Sequence, residues 1–235
     1  MKNLLVASTS TIFGGQFLQY LLPVLKEHFS DIKTLLFIPY ARPGGISYNA
    51  YTSIVAEALK DFSFSVKGIH EFDDAKLAIE KAEAIFVGGG NTFVLVDQLH
   101  RHHLMKPLQK VLEKGIPYLG TSAGSNIVGL SVKTTNDMPI VHPDRLEALG
   151  MIPFNINPHY LDPDPDSKHK GETRETRIKE FHSFNDTTVI GLREGSWIAV
   201  KDAQMILKGG LNARIFKQGK APFELPPNSD FQQLI

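Results

Sequence analysis

Ile116-Pro117-Tyr118-Leu119 runs into Gly120-Thr121-Ser122-Ala123-Gly124 and on to Ser125-Asn126-Ile127-Val128. A short apolar run, a turn of small residues and a segment able to open a helix predict a strand–turn–helix unit. Its centre matches G-x-S-x-G, in which a sharp turn thrusts a serine out at the end of a sheet. Such a turn needs small neighbours, because a bulky side chain at 120, 123 or 124 would block the approach of helix to strand. Ser122 would then stand at a helix start, where N–H groups lack intrahelical partners, and the Ala123 N–H becomes a candidate oxyanion donor. The same five residues also fit a Gly/Ser-rich turn without chemistry, so the surrounding chain must decide.

Upstream, Leu4-Leu5-Val6-Ala7, Leu35-Leu36-Phe37-Ile38, residues 64–69 and Ala84-Ile85-Phe86-Val87 read as buried strands. Between them, Phe17, Leu18, Leu21, Leu22 and Leu25, then Ile54, Val55, Ala58 and Leu59, recur at helical spacing. Residues 73–82, 94–99 and 108–112 read as further helices. This alternation predicts an α/β domain of three layers, with a mainly parallel sheet and right-handed crossovers. Sites in such sheets lie at the carboxyl ends of the strands. Gly88-Gly89-Gly90-Asn91 is a second strand-end loop of that kind. Past residue 131 loops prevail, and 162–166 is an acidic, proline-broken surface loop. A helix is expected over 171–184 and a buried strand over 188–192. Residues 197–200, 204–208 and 213–217 predict a small antiparallel extension. No repeat or linker is visible, so residues 1–235 read as one domain.

Lysine plus arginine and aspartate plus glutamate number 25 each among 235 residues, for zero net charge. That balance argues against nucleic-acid or membrane partners, and any anion recognition must be local. Cysteine is absent, which excludes disulfides, thiolate metal sites and a cysteine nucleophile. The apolar run at 4–7 is too short for a signal peptide or spanning helix, so a cytoplasmic location is expected. The glycines at 88–90 do not complete a phosphate-binding motif, H-E-x-x-H is missing, and His102-His103 lacks ligand spacing. Neither a metal nor a cofactor is expected.

A serine nucleophile needs a base, and the base needs a third group to orient it. His28, His100, His102 and His103 read as lying on solvated helix faces, and His70 and His142 have no distinctive setting. His159 differs, because Asn157-Pro158-His159 would make a rigid turn after the apolar stretch 152–156. Glu194 directly follows the buried strand ending at Leu192 and precedes Gly195. An α/β-hydrolase order, Ser…Asp/Glu…His, would instead recruit Asp137, Asp144 or Glu147. A glycine N–H of the 88–90 loop, Gly90, is the second candidate oxyanion donor.

Taken together, Val87-Gly88-Gly89-Gly90-Asn91-Thr92, the 120–124 turn, Thr134-Thr135-Asn136-Asp137-Met138-Pro139-Ile140, Asn157-Pro158-His159 and Gly171-Glu172-Thr173-Arg174-Glu175 resemble the peptidase E family. The resemblance spans essentially the whole chain in the family's order. It implies a fold like that of class I glutamine amidotransferases, with Ser122 as nucleophile, His159 as base and Glu194 as third member. It also implies hydrolysis of dipeptides with an N-terminal aspartate, whose side chain Arg174 would read, with Arg177 in reserve. Asn91 is a further candidate substrate contact. A monomer or homodimer acting on small peptides is expected. The competing readings are a cyanophycinase-like peptidase cutting β-aspartyl links, a silent small-molecule binding protein, and an α/β-hydrolase esterase.

Overall fold

The computed structural model describes residues 1–164, 166, 168 and 170–234. Strand β1 (Asn3–Ala7) opens the chain, followed by helix α1 (Leu22–His28), β2 (Thr34–Ile38), α2 (Tyr48–Ala58) and β3 (Ser65–Gly68). Next come α3 (Ala75–Glu80), β4 (Ala84–Val87), α4 (Thr92–Arg101), α5 (Met105–Glu113), β5 (Tyr118–Thr121) and the short α6 (Ala123–Asn126). The remainder supplies β6 (Asn155–Pro158), α7 (Arg174–Phe181), β7 (Val189–Leu192), β8 (Trp197–Lys201), β9 (Gln204–Lys208), β10 (Ala213–Phe216) and β11 (Phe223–Leu225).

The main sheet runs β3-β2-β4-β5-β1-β8-β9. Its first five strands are parallel, and β8 and β9 add antiparallel at the far edge. Alternate residues of the central strands feed opposite faces, as the pleat requires. Leu36, Ile38, Ile85 and Val87 pack with Leu95, Leu99, Leu108 and Val111 on one side. Leu35, Phe37 and Phe86 pack with Leu25, Val55 and Leu59 on the other. Helices thus cover both faces, and the strands are near-continuous apolar runs for that reason.

A second sheet, β11-β10-β7-β6, departs from the expected outline. The antiparallel region is divided: β8 and β9 extend the main sheet, whereas β10 pairs with β7 and β11. Strand β6, parallel to β7, lies in a stretch read as loop. Its sequence, Asn155-Ile156-Asn157-Pro158, alternates polar and apolar residues, yet all four are buried. The asparagines are tolerated there because their amides are bonded. Asn155 Oδ1 accepts from the Ser131 N–H at 2.9 Å, and Asn157 Nδ2 donates to the Thr134 carbonyl at 2.8 Å. Helix α7 begins at Arg174 instead of near 171, where Thr173 Oγ1 accepts from the Thr176 N–H at 3.1 Å.

His28 also departs from its expected solvated face. The ring is largely buried, and its Nε2–H donates to the Tyr118 carbonyl at 3.0 Å. Burial pushes the imidazole down from 6.5 to about 4, against the opposing pull of that carbonyl. A histidine whose folded pKa is depressed charges first in the unfolded chain, so stability falls as pH drops from 6.5 toward 4. The expected loss across that window is about 3 kcal/mol. Chemical denaturation at several pH values should show it. His28→Gln should flatten the curve between pH 6.5 and 4, and an unchanged slope would refute the assignment.

Candidate active site

Strand β5 is central, between β4 and β1, and delivers Ser122 at its carboxyl end. Ser122 has φ 52° and ψ −109°, a conformation that costs a non-glycine residue about 1–3 kcal/mol and must be held by its surroundings. Its N–H donates to the Ala7 carbonyl at 3.2 Å, and its carbonyl accepts from Ser125 and Asn126 at 2.9 and 3.0 Å. The Ser125 hydroxyl is shared between the carbonyls of Ala7 and Gly120, at 2.6 and 2.8 Å. Gly124 is required by close packing: a Cβ there would collide with the Val87 carbonyl of β4.

His159 and Glu194 come from the second sheet. Parallel pairing sets Pro158 opposite Leu192, so the residues just past β6 and β7 emerge side by side. His159, with φ 54°, turns its ring toward the main sheet. The Ser122 hydroxyl lies 2.9 Å from His159 Nε2, and His159 Nδ1 lies 2.6 Å from Glu194 Oε1. The three side chains named from the sequence therefore form one hydrogen-bonded chain across the seam of the two sheets. The ring and carboxylate are one-third and two-fifths exposed, so solvent and substrate can reach them. Asp137, the alternative acid, is engaged elsewhere: its carboxylate accepts from the Thr92 N–H at 2.7 Å and from the Thr135 hydroxyl at 3.1 Å. Asp144 and Glu147 are exposed beside His100 and His103, in a different cleft.

The glycine loop after β4 abuts the serine. A Cβ on Gly89 would lie 3.0 Å from Ser122 Cβ. Gly90 has φ 145°, and a Cβ there would run into the Ala41 carbonyl, which instead accepts from the Asn91 N–H at 2.7 Å. The N–H groups of Gly89, Gly90 and Ala123 have no acceptor among the described residues. Of these, Gly89 abuts the Ser122 side chain and Ala123 follows Ser122 in the chain. Asn91 works locally, since its Oδ1 caps α4 through the Val94 N–H at 3.1 Å and its Nδ2 donates to the Met138 carbonyl at 2.9 Å.

Arg174 is half-buried at the start of α7, with Nη1 3.5 Å from the Pro158 carbonyl. It makes no ion pair among the described residues. The carboxylates that could have taken it are engaged: Glu172 with Arg177 at 3.8 Å, and Glu175 with Lys179 and Arg214 at 2.7 and 3.2 Å. Burial pulls the guanidinium pKa below its ordinary value, while Glu194 works in the opposite direction. An unpaired, partly desolvated guanidinium close to His159 and Glu194 is suited to grip a carboxylate from outside. Nearby, Arg193 is fully committed, to Asp162 at 2.7 Å and Glu224 at 2.9 Å, which stiffens the turn that carries Glu194.

The sequence reading gave neither Ser8 nor Asn136 a role in the site. The Asn136 Nδ2 donates to the Pro158 carbonyl at 2.8 Å, and the Ser8 Oγ accepts from the His159 N–H at 2.8 Å. Ser8 belongs to no motif that spacing could reveal, and Asn136 lies in the 134–140 stretch that carries the family resemblance, which assigned it no role of its own. Among the described residues no group of three or more histidine, aspartate or glutamate side chains is arranged to hold a metal ion, and no helix is long and apolar enough to cross a membrane.

Residues 4–208 match the model of peptidase family S51. The chain is 46% identical over 233 residues to peptidase E of Streptomyces coelicolor, covering 99% of this chain and 95% of that one. It is 44% identical over 237 residues to a Drosophila melanogaster protein named "Probable alpha-aspartyl dipeptidase", with 100% and 98% covered. The crystal structure of a peptidase from an acI-B1 actinobacterium superposes with a TM-score of 0.69 at 17% identity, over 98% of this chain and 96% of that one, which is a likeness of fold. On the family match and these two full-length relatives, the chain belongs to peptidase family S51.

Proposed function

We propose that the protein is a serine dipeptidase that cleaves dipeptides with an N-terminal aspartate through Ser122, His159 and Glu194. The observation that carries this reading is the continuous chain Ser122 Oγ–His159 Nε2, His159 Nδ1–Glu194 Oε1, at 2.9 and 2.6 Å, with Arg174 unpaired beside it. The names of the two full-length relatives agree with it.

In this mechanism Ser122 Oγ attacks the scissile carbonyl carbon while its proton passes to His159 Nε2. Glu194 holds the Nδ1–H tautomer and stabilises the imidazolium. The oxyanion settles on backbone N–H groups, Ala123 and Gly90 being the proposed pair, each worth on the order of 3 kcal/mol in comparable sites. The C–N bond then breaks, the leaving amine takes the proton from His159, and an aspartyl ester remains on Ser122. Water, deprotonated by the same histidine, attacks the ester; the C–O bond to Ser122 breaks, Ser122 Oγ takes the proton back from His159, and free aspartate leaves. During both steps Arg174 would pair with the aspartate side chain.

The test is a scan of first residues. Asp-Leu should be hydrolysed, and Asn-Leu should fall by about 10- to 100-fold in kcat/KM, the value of a charge-assisted hydrogen bond. Comparable rates on the β-linked isomer of Asp-Leu would favour the cyanophycinase-like reading. No hydrolysis of any peptide would leave a binding protein.

A further inference from the structure

We infer that Ser8, at the carboxyl end of β1, is a positioning residue that sets His159 and Glu194 against Ser122. The inference rests on the reading of those three residues as the catalytic set. The Ala7–Ser8 step touches the backbone of Ser122 and His159 directly and both ends of the turn that carries Glu194. The Ala7 carbonyl accepts from the Ser122 N–H at 3.2 Å. The Ser8 Oγ accepts from the His159 N–H at 2.8 Å and donates its own proton to the Leu192 carbonyl at 2.7 Å. The Ser8 N–H donates to the Ser196 carbonyl at 3.0 Å. Leu192 and Ser196 bracket the turn that carries Glu194, so Ser8 grips that turn at both ends.

Around His159 the bonds close into a ring. Its own N–H goes to Ser8 Oγ, Ser8 goes to the Leu192 carbonyl, and the Tyr160 N–H returns to that same carbonyl at 3.1 Å. His159 sits at a φ of 54°, so an unheld backbone would relax toward the ordinary negative range and swing the imidazole away. A hydroxyl accepts from one backbone group and donates to another at this spot; an alanine can do neither. Ser8 is fully buried, so no water replaces the lost bonds. The hydroxyl also ties the two sheets together: Ser8 directly follows β1 of the main sheet, and its partners are His159, just past β6, and Leu192 in β7 of the second.

Ser8 touches neither the serine hydroxyl nor Arg174, which fixes the expected pattern. In Ser8→Ala, kcat on Asp-Leu should fall about 10- to 100-fold, as for a small misplacement of a reacting group. KM should stay unchanged, and the rate of phosphonate labelling at Ser122 should fall in step with kcat. Ser8→Cys, which keeps a weak donor and acceptor, should recover part of the loss. Circular dichroism and thermal melting run alongside. A folded Ser8→Ala with a lowered Tm but kcat within about threefold of wild type would overturn the inference, since the hydroxyl would then serve stability alone. Failure of both variants to fold would overturn it as well, for the same reason. Ser122→Ala is assayed in parallel: if it retains activity, the catalytic set itself falls, whereas a dead Ser122→Ala beside a fully active Ser8→Ala removes only the role of Ser8.

Discussion

Ser122→Ala is expected to lower kcat on Asp-Leu by roughly a million-fold, the loss seen when the nucleophile of a serine peptidase is deleted. The substitution removes only the atom that would bond to carbon. The elbow is held by backbone contacts of residue 122 to Ala7, Ser125 and Asn126, all of which alanine keeps. The protein should therefore melt as the wild type does and still bind Asp-Leu, because Arg174 and the free N–H groups remain. His159→Ala should cost a similar factor, and the double variant should be no worse than either single one, since the two side chains act as a unit. Whatever hydrolysis remains would come from oxyanion stabilisation and binding alone. A phosphonate directed at serines should add its mass to the wild type and not to Ser122→Ala. Turnover by Ser122→Ala above about 1% of the wild-type rate would remove Ser122 from the nucleophile's role.

Much of this arrangement is legible in the sequence, for reasons tied to particular residues. The strands β1, β2, β4 and β5 are covered on both faces, so their sequences are near-continuous apolar runs and announce themselves. The elbow is legible because its steric demands admit few residues: Gly124 has no room for a Cβ beneath the Val87 carbonyl. Helix α7 was visible only to within a turn, because nothing before residue 173 separates loop from helix in composition. Strand β6 was hidden, since its buried asparagines mimic a loop while their amides are satisfied by Ser131 and Thr134. The parting of β9 and β10 into different sheets was hidden too, because short alternating strands specify a pleat and not a partner. Ser8 was the least visible of all. Its partners lie 151 and 184 residues away in sequence, and a serine at the end of a strand carries no mark of having them. His28 reads as polar and helical, yet the Tyr118 carbonyl draws its ring inward. Local sequence thus reports what each segment needs from its immediate neighbours. Bonds made by single side chains across the molecule leave no trace in it.

The second large effect is expected at Arg174. Removing one partner of a desolvated charge pair costs about 2–5 kcal/mol, so Arg174→Ala should lose roughly 30- to several-thousand-fold in kcat/KM on Asp-Leu. The loss should be specific to the acidic substrate. Asn-Leu, which offers no charge to the guanidinium, should be hydrolysed about as slowly by the variant as by the wild type, so the preference for aspartate collapses. Phosphonate labelling of Ser122 should persist, because Arg174 does not touch the serine, the ring or the carboxylate; its bond is to the Pro158 carbonyl. That carbonyl keeps its stronger bond from Asn136 at 2.8 Å, which should hold His159 in place in the variant. Arg174→Lys should rescue poorly, since an ammonium is a point charge without the two parallel donors that match a carboxylate. Arg177 supplies the contrast. It is exposed and paired with Glu172 at 3.8 Å, a surface contact worth about 1 kcal/mol at most, so Arg177→Ala should leave the aspartate preference intact. Measuring kcat/KM for Asp-Leu and Asn-Leu on the three variants decides the matter: undiminished discrimination in Arg174→Ala would mean that another group reads the aspartate side chain.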